Sequence, residues 1–448
     1  MPLTRRGLLG GTAAGLAALT SCDTNNDNPV PPPDFDPHNW ANVRAQFALD
    51  PTVSHFAAFV FASPPDPVRA AIARHRDGFE RNTVRYLHAN ENEMHRAIHA
   101  GAAAYLGGVS AEQICFTDST TMGLGMIYGG LKLAPGDEIL TTEHDFHSTH
   151  EALRLRALRD GVKINRVRLY DDPSTTTYQE IIINLLRAMT PATKVVALTW
   201  VHSSTGVKLP IWQICQQIKG LRDGGSAGGV DKGLRDGGSV GGVDKRLRDG
   251  GSAGGVDNGR VLVVVDGVHG FGAEDAGPAD LECDFLISGC HKWLFGPRGT
   301  GLIWGRSAAW ERFTPSIPSF QEYRPSATPG GYHAFEHQWA LREAFDFHKA
   351  IGRGRIAARI QELNTALKKG LAAMDHVKLI TPMGSDISAG IVCCQVRRYT
   401  SVEAVNLLAQ KGIYASATPY NPSYLRFGAS IATTESDVDR ALAAVKQL

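Results

Sequence analysis

A regular alternation of short apolar segments and helix-like segments between residues 114 and 306 most constrains the fold of this chain. Seven segments have the length and composition of buried strands: Ile114–Thr117, Glu138–Thr142, Lys163–Leu169, Lys194–Val201, Val261–Asp266, Asp284–Ser288 and Gly301–Trp304. Helical patterns lie between them at Thr121–Leu133, Ser148–Arg159, Tyr178–Met189 and Ile211–Lys219. This alternation predicts an α/β fold with a mostly parallel seven-stranded sheet covered on both faces. Ligands of such sheets bind beyond the carboxyl ends of the strands.

The pattern changes from about residue 350 onward. The elements expected there are a helix at 356–374, a strand at 390–396, a helix at 402–411, a strand at 424–427 and a helix at 435–448. A chain of 448 residues is long enough for two hydrophobic cores. We therefore predict a large domain over residues 41–349 and a small C-terminal α+β domain over residues 350–448.

The first 40 residues have the composition of a targeting segment. Residues 4–9, TRRGLL, resemble a twin-arginine export signal and precede a short apolar stretch rich in Gly and Ala. The run up to Cys22 resembles a lipobox, which would make Cys22 a lipid anchor; the alternative is an ordinary cleaved signal in which Cys22 is incidental. We predict a signal at 1–22, a flexible tether at 23–40, and an exported protein that is periplasmic or a membrane-anchored lipoprotein.

Charge and cysteine content narrow the classes of partner. The net charge of +1 gives no reason to expect a nucleic-acid partner. The cysteines beyond Cys22 lie at positions 115, 215, 283, 290, 393 and 394, and their spacing indicates neither a disulfide framework nor a metal site. They are expected to be buried thiols.

Two of the expected strands end in residues that suit one cofactor. The strand Val261–Asp266 ends in a carboxylate, and the strand Asp284–Ser288 is followed closely by His291 and Lys292. A lysine amine forms a Schiff base with an aldehyde, and a carboxylate keeps a pyridinium nitrogen protonated so that the ring withdraws electrons. We predict that Lys292 holds pyridoxal 5'-phosphate (PLP) and that Asp266 pairs with its ring nitrogen.

Other strand ends supply candidates for the cofactor phosphate. Thr120 and Thr121 open a helix after a strand, where hydroxyls and free N–H groups suit a phosphate. The alternative is a simple helix N-cap. Ser288 and His291 would add donors from the other side.

The ring and its phenolic oxygen also have candidate partners. His144 and Phe146 follow a strand and are both candidates to stack on the pyridine ring, although a loop histidine is often only structural. Ser203 and His269 are candidates to hydrogen-bond the phenolic oxygen.

Arg426 is a charged residue on an otherwise apolar strand of the small domain. A buried arginine needs a partner, and its planar fork suits bidentate capture of a carboxylate. We expect Arg426 to bind a substrate carboxylate; the alternative is an ion pair with an Asp or Glu of the protein.

These motifs together resemble the class V aminotransferase superfamily, PLP enzymes of fold type I. The resemblance rests on DSTTMG, TTEHDF, WVHSSTG, VVVDGVHG, SGCHKW, ATPGG and YLRFGAS. It implies Lys292 as the Schiff-base lysine and a homodimer in which Thr328 of ATPGG reaches the phosphate bound by the other subunit. WVHSSTG and EHDF are more similar to the isopenicillin N epimerase branch than to cysteine desulfurases, whose loop cysteine is absent from residues 412–419.

The resemblance implies a reaction at the α-carbon of an amino acid or peptide-linked amino acid, aminotransferase- or epimerase-like. Alternatives are a PLP-dependent lyase, a decarboxylating enzyme similar to the exported members that tailor pyoverdine siderophores, and a non-catalytic binding protein. His269, where many relatives have Gln, and a Gly-rich insertion leave the substrate open.

That insertion, at residues 220–258, consists of three near-identical copies of a 13-residue unit. A calcium-binding repeat is one interpretation, but the unit lacks the spacing of the known Gly- and Asp-rich repeat. A flexible loop on the side of the sheet opposite the cofactor is the favoured prediction. Deletion of the insertion should therefore leave PLP binding intact, as an absorbance titration would show.

Overall fold

The fold is known from a computed structural model, which describes residues 35–222, 260–320 and 327–448. The predicted signal, residues 23–34 of the predicted tether and residues 223–258 of the predicted insertion lie outside the described residues. In the described ranges, no helix is long and apolar enough to cross a membrane.

The described chain alternates strands and helices as the sequence predicts. The strands are β1 (Ser54–His55), β2 (Ile114–Thr117), β3 (Glu138–Thr142), β4 (Lys163–Val167), β5 (Thr193–Thr199), β6 (Leu262–Asp266), β7 (Phe285–Gly289), β8 (Gly301–Gly305), β9 (Val377–Leu379), β10 (Val392–Val396), β11 (Ile413–Tyr414), β12 (Ser416–Ala417) and β13 (Leu425–Phe427). The α-helices are Trp40–Ala45, Asp66–Arg81, Thr83–Tyr105, Thr120–Gly130, His147–Asp160, Tyr178–Ala188, Ile211–Arg222, Pro278–Leu281, Ser307–Trp310, Phe335–Trp339, Leu341–Ile351, Arg353–Ala372, Ser401–Gln410 and Glu435–Val445.

The large sheet has seven strands in the order β2-β8-β7-β6-β5-β3-β4. Strand β8 runs antiparallel to both of its neighbours, and the other pairs are parallel. The predicted α/β fold with a mostly parallel seven-stranded sheet is therefore confirmed. The strand β5 ends at Thr199, two residues earlier than predicted; after the Trp200 N–H bond to the Asp266 carbonyl, the chain turns and Val201 pairs instead with Lys208.

The central strands are apolar because both faces of the sheet are covered. Every residue of β3, β6, β7 and β8 is buried. Along β6, Val263 and Val265 pack into one hydrophobic cluster while Leu262 and Val264 pack into another, as the alternation of side chains along a strand requires. The rigid strand ends then place the polar residues that follow them at one edge of the sheet.

A second, four-stranded antiparallel sheet has the order β12-β13-β10-β9. Strand β13 carries Arg426, which lies opposite Cys393 of β10. Cys393 and Cys394 pack into different hydrophobic clusters, so these neighbours point to opposite faces, as predicted. The described cysteines are all buried.

The predicted boundary between residues 349 and 350 falls inside a helix. Helix Leu341–Ile351 continues across this boundary and ends before Gly352. The φ of Gly352 is +94°, which suits a residue without a Cβ. Residues 35–448 form one compact unit that contains both sheets.

Two predicted loop boundaries change in the structure. Residues 35–40, the end of the predicted tether, pack on the folded chain: Phe35 stacks on Phe347, and the Arg355 guanidinium lies over the Trp40 ring. At the other boundary, helix Ile211–Arg222 extends into the first three residues of the predicted insertion. Residues 35–40 and 220–222 were predicted to be flexible. The structure shows instead that the first group packs on the folded chain and that the second continues a helix.

Candidate active site

A cavity of 310 Å³ lies at the carboxyl ends of β5, β6 and β7. Most of the predicted site residues line it: Thr120, Thr121, Phe146, Ser203, Asp266, His269, His291, Lys292 and Arg426. The exceptions are His144, Ser288 and Thr328. The cavity thus brings together side chains from segments more than 300 residues apart, from Thr120 to Arg426.

Asp266 and Lys292 form the charged centre of this cavity. Burial raises the pKa of the Asp266 carboxyl, and the Val268 N–H and the Lys292 charge oppose that rise. Burial lowers the pKa of the Lys292 amine, against the opposing influence of Asp266. A lowered amine pKa increases the neutral, nucleophilic fraction, which an amine needs to attack an aldehyde.

The hydrogen bonding of Asp266 leaves room for a further cationic partner. Its Oδ1 accepts the Val268 N–H at 3.0 Å, and its Oδ2 is left for a group in the cavity. A protonated pyridine nitrogen fits this requirement, because a buried carboxylate is stabilised by a charged hydrogen-bond donor.

The start of helix Thr120–Gly130 forms another side of the cavity. Ser119 caps the helix by accepting the Met122 N–H at 3.2 Å. Thr120 Oγ1 accepts the Gly289 N–H at 2.7 Å, and Thr121 Oγ1 lies 2.9 Å from Ser148 Oγ. The two interpretations of this segment are compatible. The helix is N-capped by Ser119, and the hydroxyls and free N–H groups at its start also suit a phosphate.

Ser288 and His291 differ in their placement. His291 lines the cavity, and its Nδ1 lies 3.2 Å from the Thr300 carbonyl. Ser288 is fully buried and does not line the cavity; its hydroxyl donates to the Gly289 carbonyl at 3.0 Å. Ser288 therefore does not reach this cavity directly, and its contact with the phosphate stays a prediction.

The structure separates the two candidates for ring stacking. Phe146 lines the cavity and is 37% exposed, so one of its faces is available. His144 instead stacks on Tyr170, with ring centroids 3.9 Å apart, and its Nε2 accepts the Leu169 N–H at 3.3 Å. The structure thus favours Phe146, because one face of the His144 ring is occupied by Tyr170; stacking of His144 on the pyridine ring stays a prediction.

Ser203 and His269 both line the cavity. Ser203 Oγ lies 2.7 Å from the hydroxyl of Tyr420. The Trp293 indole N–H donates to His269 Nδ1 at 3.4 Å, which selects the tautomer with a proton on Nε2. Burial, the main cause, holds the pKa of His269 well below its usual range, so the ring is a neutral hydrogen-bond donor.

Thr199 is a site residue that sequence reasoning missed. It is the last residue of β5, it lines the cavity, and its buried Oγ1 has no hydrogen-bond partner among the described residues. A buried hydroxyl without a partner is costly unless a ligand supplies one. Its position at a strand end was the available signal.

Arg426 reaches the cavity from the small sheet. Its guanidinium lies over the Phe59 ring at 4.7 Å, Nη1 donates to the Ser203 carbonyl at 2.9 Å, and Nε donates to Ser416 Oγ at 3.0 Å. None of the described Asp or Glu side chains forms an ion pair with it. The remaining Nη2 donors suit a ligand carboxylate.

Thr328 lies outside this cavity. Its Oγ1 accepts the Phe116 N–H at 3.1 Å, and it lines a separate cavity of 490 Å³ together with Asp118 and His333. Its expected role involves a second copy of the chain and stays a prediction.

A buried amine, an incompletely bonded carboxylate and a hydroxyl-rich helix start fit the aldehyde, the ring nitrogen and the phosphate of PLP. Together, the fold and this site define a PLP-dependent enzyme of fold type I. The chain belongs to the class-V aminotransferase family, whose model matches residues 62–224 and 255–440.

Curated relatives align along nearly the whole chain. Isopenicillin N epimerase of Streptomyces clavuligerus is 23% identical over 432 residues, which cover 92% of this chain and 98% of the epimerase. A cysteine desulfurase of Yersinia pestis (strain Pestoides F) is 24% identical over 441 residues, which cover 91% of this chain and 97% of the desulfurase. The family therefore spans different reactions at this level of identity.

Solved structures share the fold. A mutant of C-DES with glycine covalently linked to PLP has a TM-score of 0.77 at 19% identity, covering 90% of this chain and 99% of its own. The cysteine desulfurase CsdA from Escherichia coli has a TM-score of 0.72 at 20% identity, covering 91% and 98%. Family and structural neighbours indicate PLP as the cofactor.

Proposed function

We propose that this protein holds PLP through Lys292 and transfers a proton at the α-carbon of an amino acid or peptide-linked amino acid. The observation that carries the proposal is one cavity that contains the buried Lys292 amine, the Asp266 carboxylate and the Arg426 guanidinium. When bound, PLP supplies the electron-withdrawing ring that makes an α-proton acidic.

Arg426 is proposed to bind and orient the substrate carboxylate. Two of its nitrogens are fixed by Ser203 and Ser416, so the guanidinium is held in one orientation. A fixed fork costs less conformational entropy on binding than a freely rotating one. The Phe59 ring beneath it excludes water from one face.

Lys292 is proposed to carry the proton. With PLP bound and the substrate held in its place, the Lys292 amine would be free to act as base and then as acid at the substrate α-carbon. Burial lowers its pKa towards neutrality, which improves its capacity for both roles. Apolar walls that include Leu124, Phe146 and Val268 keep bulk water from competing for that proton.

The cysteines argue against sulfur abstraction through a persulfide. Every described cysteine is buried. Burial raises the thiol pKa of each of them, including Cys393 opposite Arg426, so a nucleophilic thiolate is disfavoured at neutral pH. This supports proton transfer, as in epimerisation or transamination, over desulfuration.

A second candidate is β-elimination. It begins with the same removal of the α-proton and needs no nucleophilic cysteine in the enzyme. The support is the TM-score of 0.74 to a C-DES complex described as a cystine C-S lyase with cysteine persulfide. Release of pyruvate and ammonia from cystine or serine would favour this candidate, whereas recovery of an intact amino acid would favour the first.

Proton transfer is tested by exchange of the α-proton in D2O. The PLP-loaded protein is incubated with each standard L-amino acid, and loss of the α-proton signal is followed by NMR. We expect exchange for at least one amino acid, none with Lys292→Ala, and normal exchange with the surface control Lys349→Ala. A protein that binds PLP but exchanges no α-proton contradicts the proposal.

We also propose export through the twin-arginine pathway and assembly as a homodimer. The support is the sequence of residues 4–9 and the family resemblance around Thr328. If Arg5→Lys with Arg6→Lys leaves export unchanged, the export proposal is wrong. Sedimentation of the PLP-loaded protein as a monomer would contradict the dimer.

A further inference from the structure

Tyr420 stands beside the cavity, although no motif of the sequence points to it. Its hydroxyl is 2.7 Å from Ser203 Oγ, and Ser203 lines the cavity. Its ring meets Phe146 nearly edge-on, with centroids 6.2 Å apart. Pro419, the preceding residue, lines the cavity as well.

The loop that carries Tyr420 is held in one conformation. The Thr418 N–H donates to the Tyr424 carbonyl at 2.9 Å, and the Tyr424 N–H donates to Thr418 Oγ1 at 2.8 Å. The Ser423 hydroxyl donates to the Thr418 carbonyl at 2.6 Å. These bonds on both sides of Tyr420 keep its hydroxyl beside Ser203, which lines the cavity.

Lys292 and Phe146 lie on opposite sides of the cavity. Lys292 follows β7 and Phe146 follows β3, and strands β6 and β5 lie between them in the sheet. Tyr420 packs on the Phe146 wall. A flat ligand that stands between these two sides, above the ends of β6 and β5, would turn one face to Lys292 and the other face to Phe146 and the neighbouring Tyr420.

The phenol of Tyr420 is the acid available on that wall. Asp145 is buried and its oxygens accept bonds from Thr141, Thr142 and Thr199. His144 is covered by Tyr170. The charged groups that act on Tyr420 are Arg426, Asp266 and Asp145, and burial is the main reason that its pKa is raised. The hydroxyl is therefore protonated at neutral pH and able to donate.

We propose that Tyr420 is a second catalytic acid–base group, which exchanges a proton with the α-carbon on the face opposite Lys292. This inference rests on the proposed proton transfer and deepens it. Two acid–base groups on opposite faces allow inversion at the α-carbon, so the favoured substrate class is an amino acid whose configuration is changed.

The proposed step balances without a redox partner. Lys292 would remove the α-proton from one face; PLP, when bound, would supply the electron-withdrawing ring that takes up the C–H electron pair. The Tyr420 O–H bond would then break and its proton would form a new C–H bond with that electron pair on the other face, while the Ser203 hydroxyl, 2.7 Å away, passes a proton to the Tyr420 oxygen. Ser203 regains its proton from water, and Lys292 gives its proton to water. The net change is inversion alone.

The test compares exchange with inversion in the PLP-loaded protein. The standard L-amino acids are incubated in D2O, α-deuterium is measured by NMR, and the two enantiomers are separated by chiral chromatography. The variants are Tyr420→Phe and the matched control Tyr424→Phe, which makes the same change in the same loop. The absorbance of bound PLP across pH is recorded for each variant, as a readout independent of turnover.

For wild type and Tyr424→Phe we expect deuterium in both enantiomers. For Tyr420→Phe we expect L-enantiomer exchange to continue while formation of the D-enantiomer falls about 100-fold, the scale of one lost acid–base group. The PLP absorbance should be unchanged.

Three results overturn the inference: exchange without inversion in wild type, unchanged inversion in Tyr420→Phe, or a parallel loss of exchange and inversion with a shifted PLP absorbance. The last result would show that Tyr420 acts on the cofactor through Ser203. Absence of any exchange in wild type contradicts the proposed function itself, and the inference falls with it.

Discussion

Two lysines with desolvated amines, in different regions of the molecule, differ in what surrounds the amine. Lys368, on helix Arg353–Ala372, donates to the Pro382 carbonyl at 3.1 Å, the Met383 carbonyl at 2.9 Å and Ser388 Oγ at 2.6 Å. Lys292 makes no side-chain hydrogen bond to another described residue and faces a cavity. Burial lowers the pKa of both amines. A lowered pKa alone therefore does not identify a reactive lysine. An amine whose N–H groups have no hydrogen-bond acceptor in the described protein does.

The buried aspartates show the same difference. Asp145 Oδ2 accepts from the Thr141 hydroxyl and the Thr142 N–H, each at 2.7 Å, and its Oδ1 accepts the Thr199 N–H at 2.8 Å. Asp266 has one such bond, from Val268. A fully bonded carboxylate holds loops together, whereas a partly bonded one has capacity for a ligand.

Substitution of the two lysines should differ most in its effect on catalysis. Lys292→Ala should reduce α-proton exchange by about 10²–10⁴-fold or more, because it removes the acid–base group and the covalent anchor. Lys368→Ala should leave the exchange per folded molecule unchanged. The exchange rates, normalised to folded protein by circular dichroism, check this; equal losses in the two variants would break the comparison.

The next effect is on cofactor affinity. Asp266→Asn keeps an oxygen for the Val268 N–H but loses the charge that pairs with the ring nitrogen. A hydrogen bond to a charged group contributes about 1.5–3 kcal/mol, so PLP should bind about 10- to 100-fold more weakly. Equilibrium dialysis with PLP measures this, and unchanged affinity would remove Asp266 from the proposed role.

A smaller effect is expected on stability. Lys368→Met fills similar space but leaves three acceptors without their donor, which should lower the free energy of unfolding by about 1–3 kcal/mol. Urea denaturation of the PLP-loaded protein measures the change. Lys292→Met should cost less, since no acceptor of the described chain loses a bond; a greater loss for Lys292 would reverse the comparison.

The smallest effect concerns pH. Burial lowers the pKa of Lys368 from 10.5 to about 8. Between these values the unfolded chain binds more protons at this residue than the folded chain, so its contribution to stability rises as pH rises from about 8 to 10.5. The stability of wild type relative to Lys368→Met should increase over that window in urea titrations. If the stability difference between wild type and Lys368→Met instead falls as pH rises, the three acceptors raise the pKa of Lys368 more than burial lowers it.

The sequence was sufficient for the large sheet and for the central pair of the site. Strands buried on both faces must be apolar, so β6 and β7 stand out, and the residues after their ends, Asp266 and Lys292, share one edge by topology. The position of Arg426 followed from the cost of a charge on an apolar strand. These features depend on local pattern and on sheet geometry alone.

The remaining site residues depend on contacts between distant segments, which no local pattern encodes. The choice between His144 and Phe146 is decided by Tyr170, which covers the histidine. Ser288 lies behind the cavity wall, with its hydroxyl bonded to its neighbouring carbonyl. Tyr420 enters it through a bond to Ser203, 217 residues away in the chain.

The central claim is that Lys292, and not another buried lysine, anchors the cofactor. The most direct measurement is reduction of the PLP-loaded protein with borohydride, followed by proteolysis and mass spectrometry of the labelled peptide. The account predicts a phosphopyridoxyl group on Lys292, retained in Lys368→Met and absent in Lys292→Ala. A label on Lys368, or a label that persists in Lys292→Ala, would contradict it.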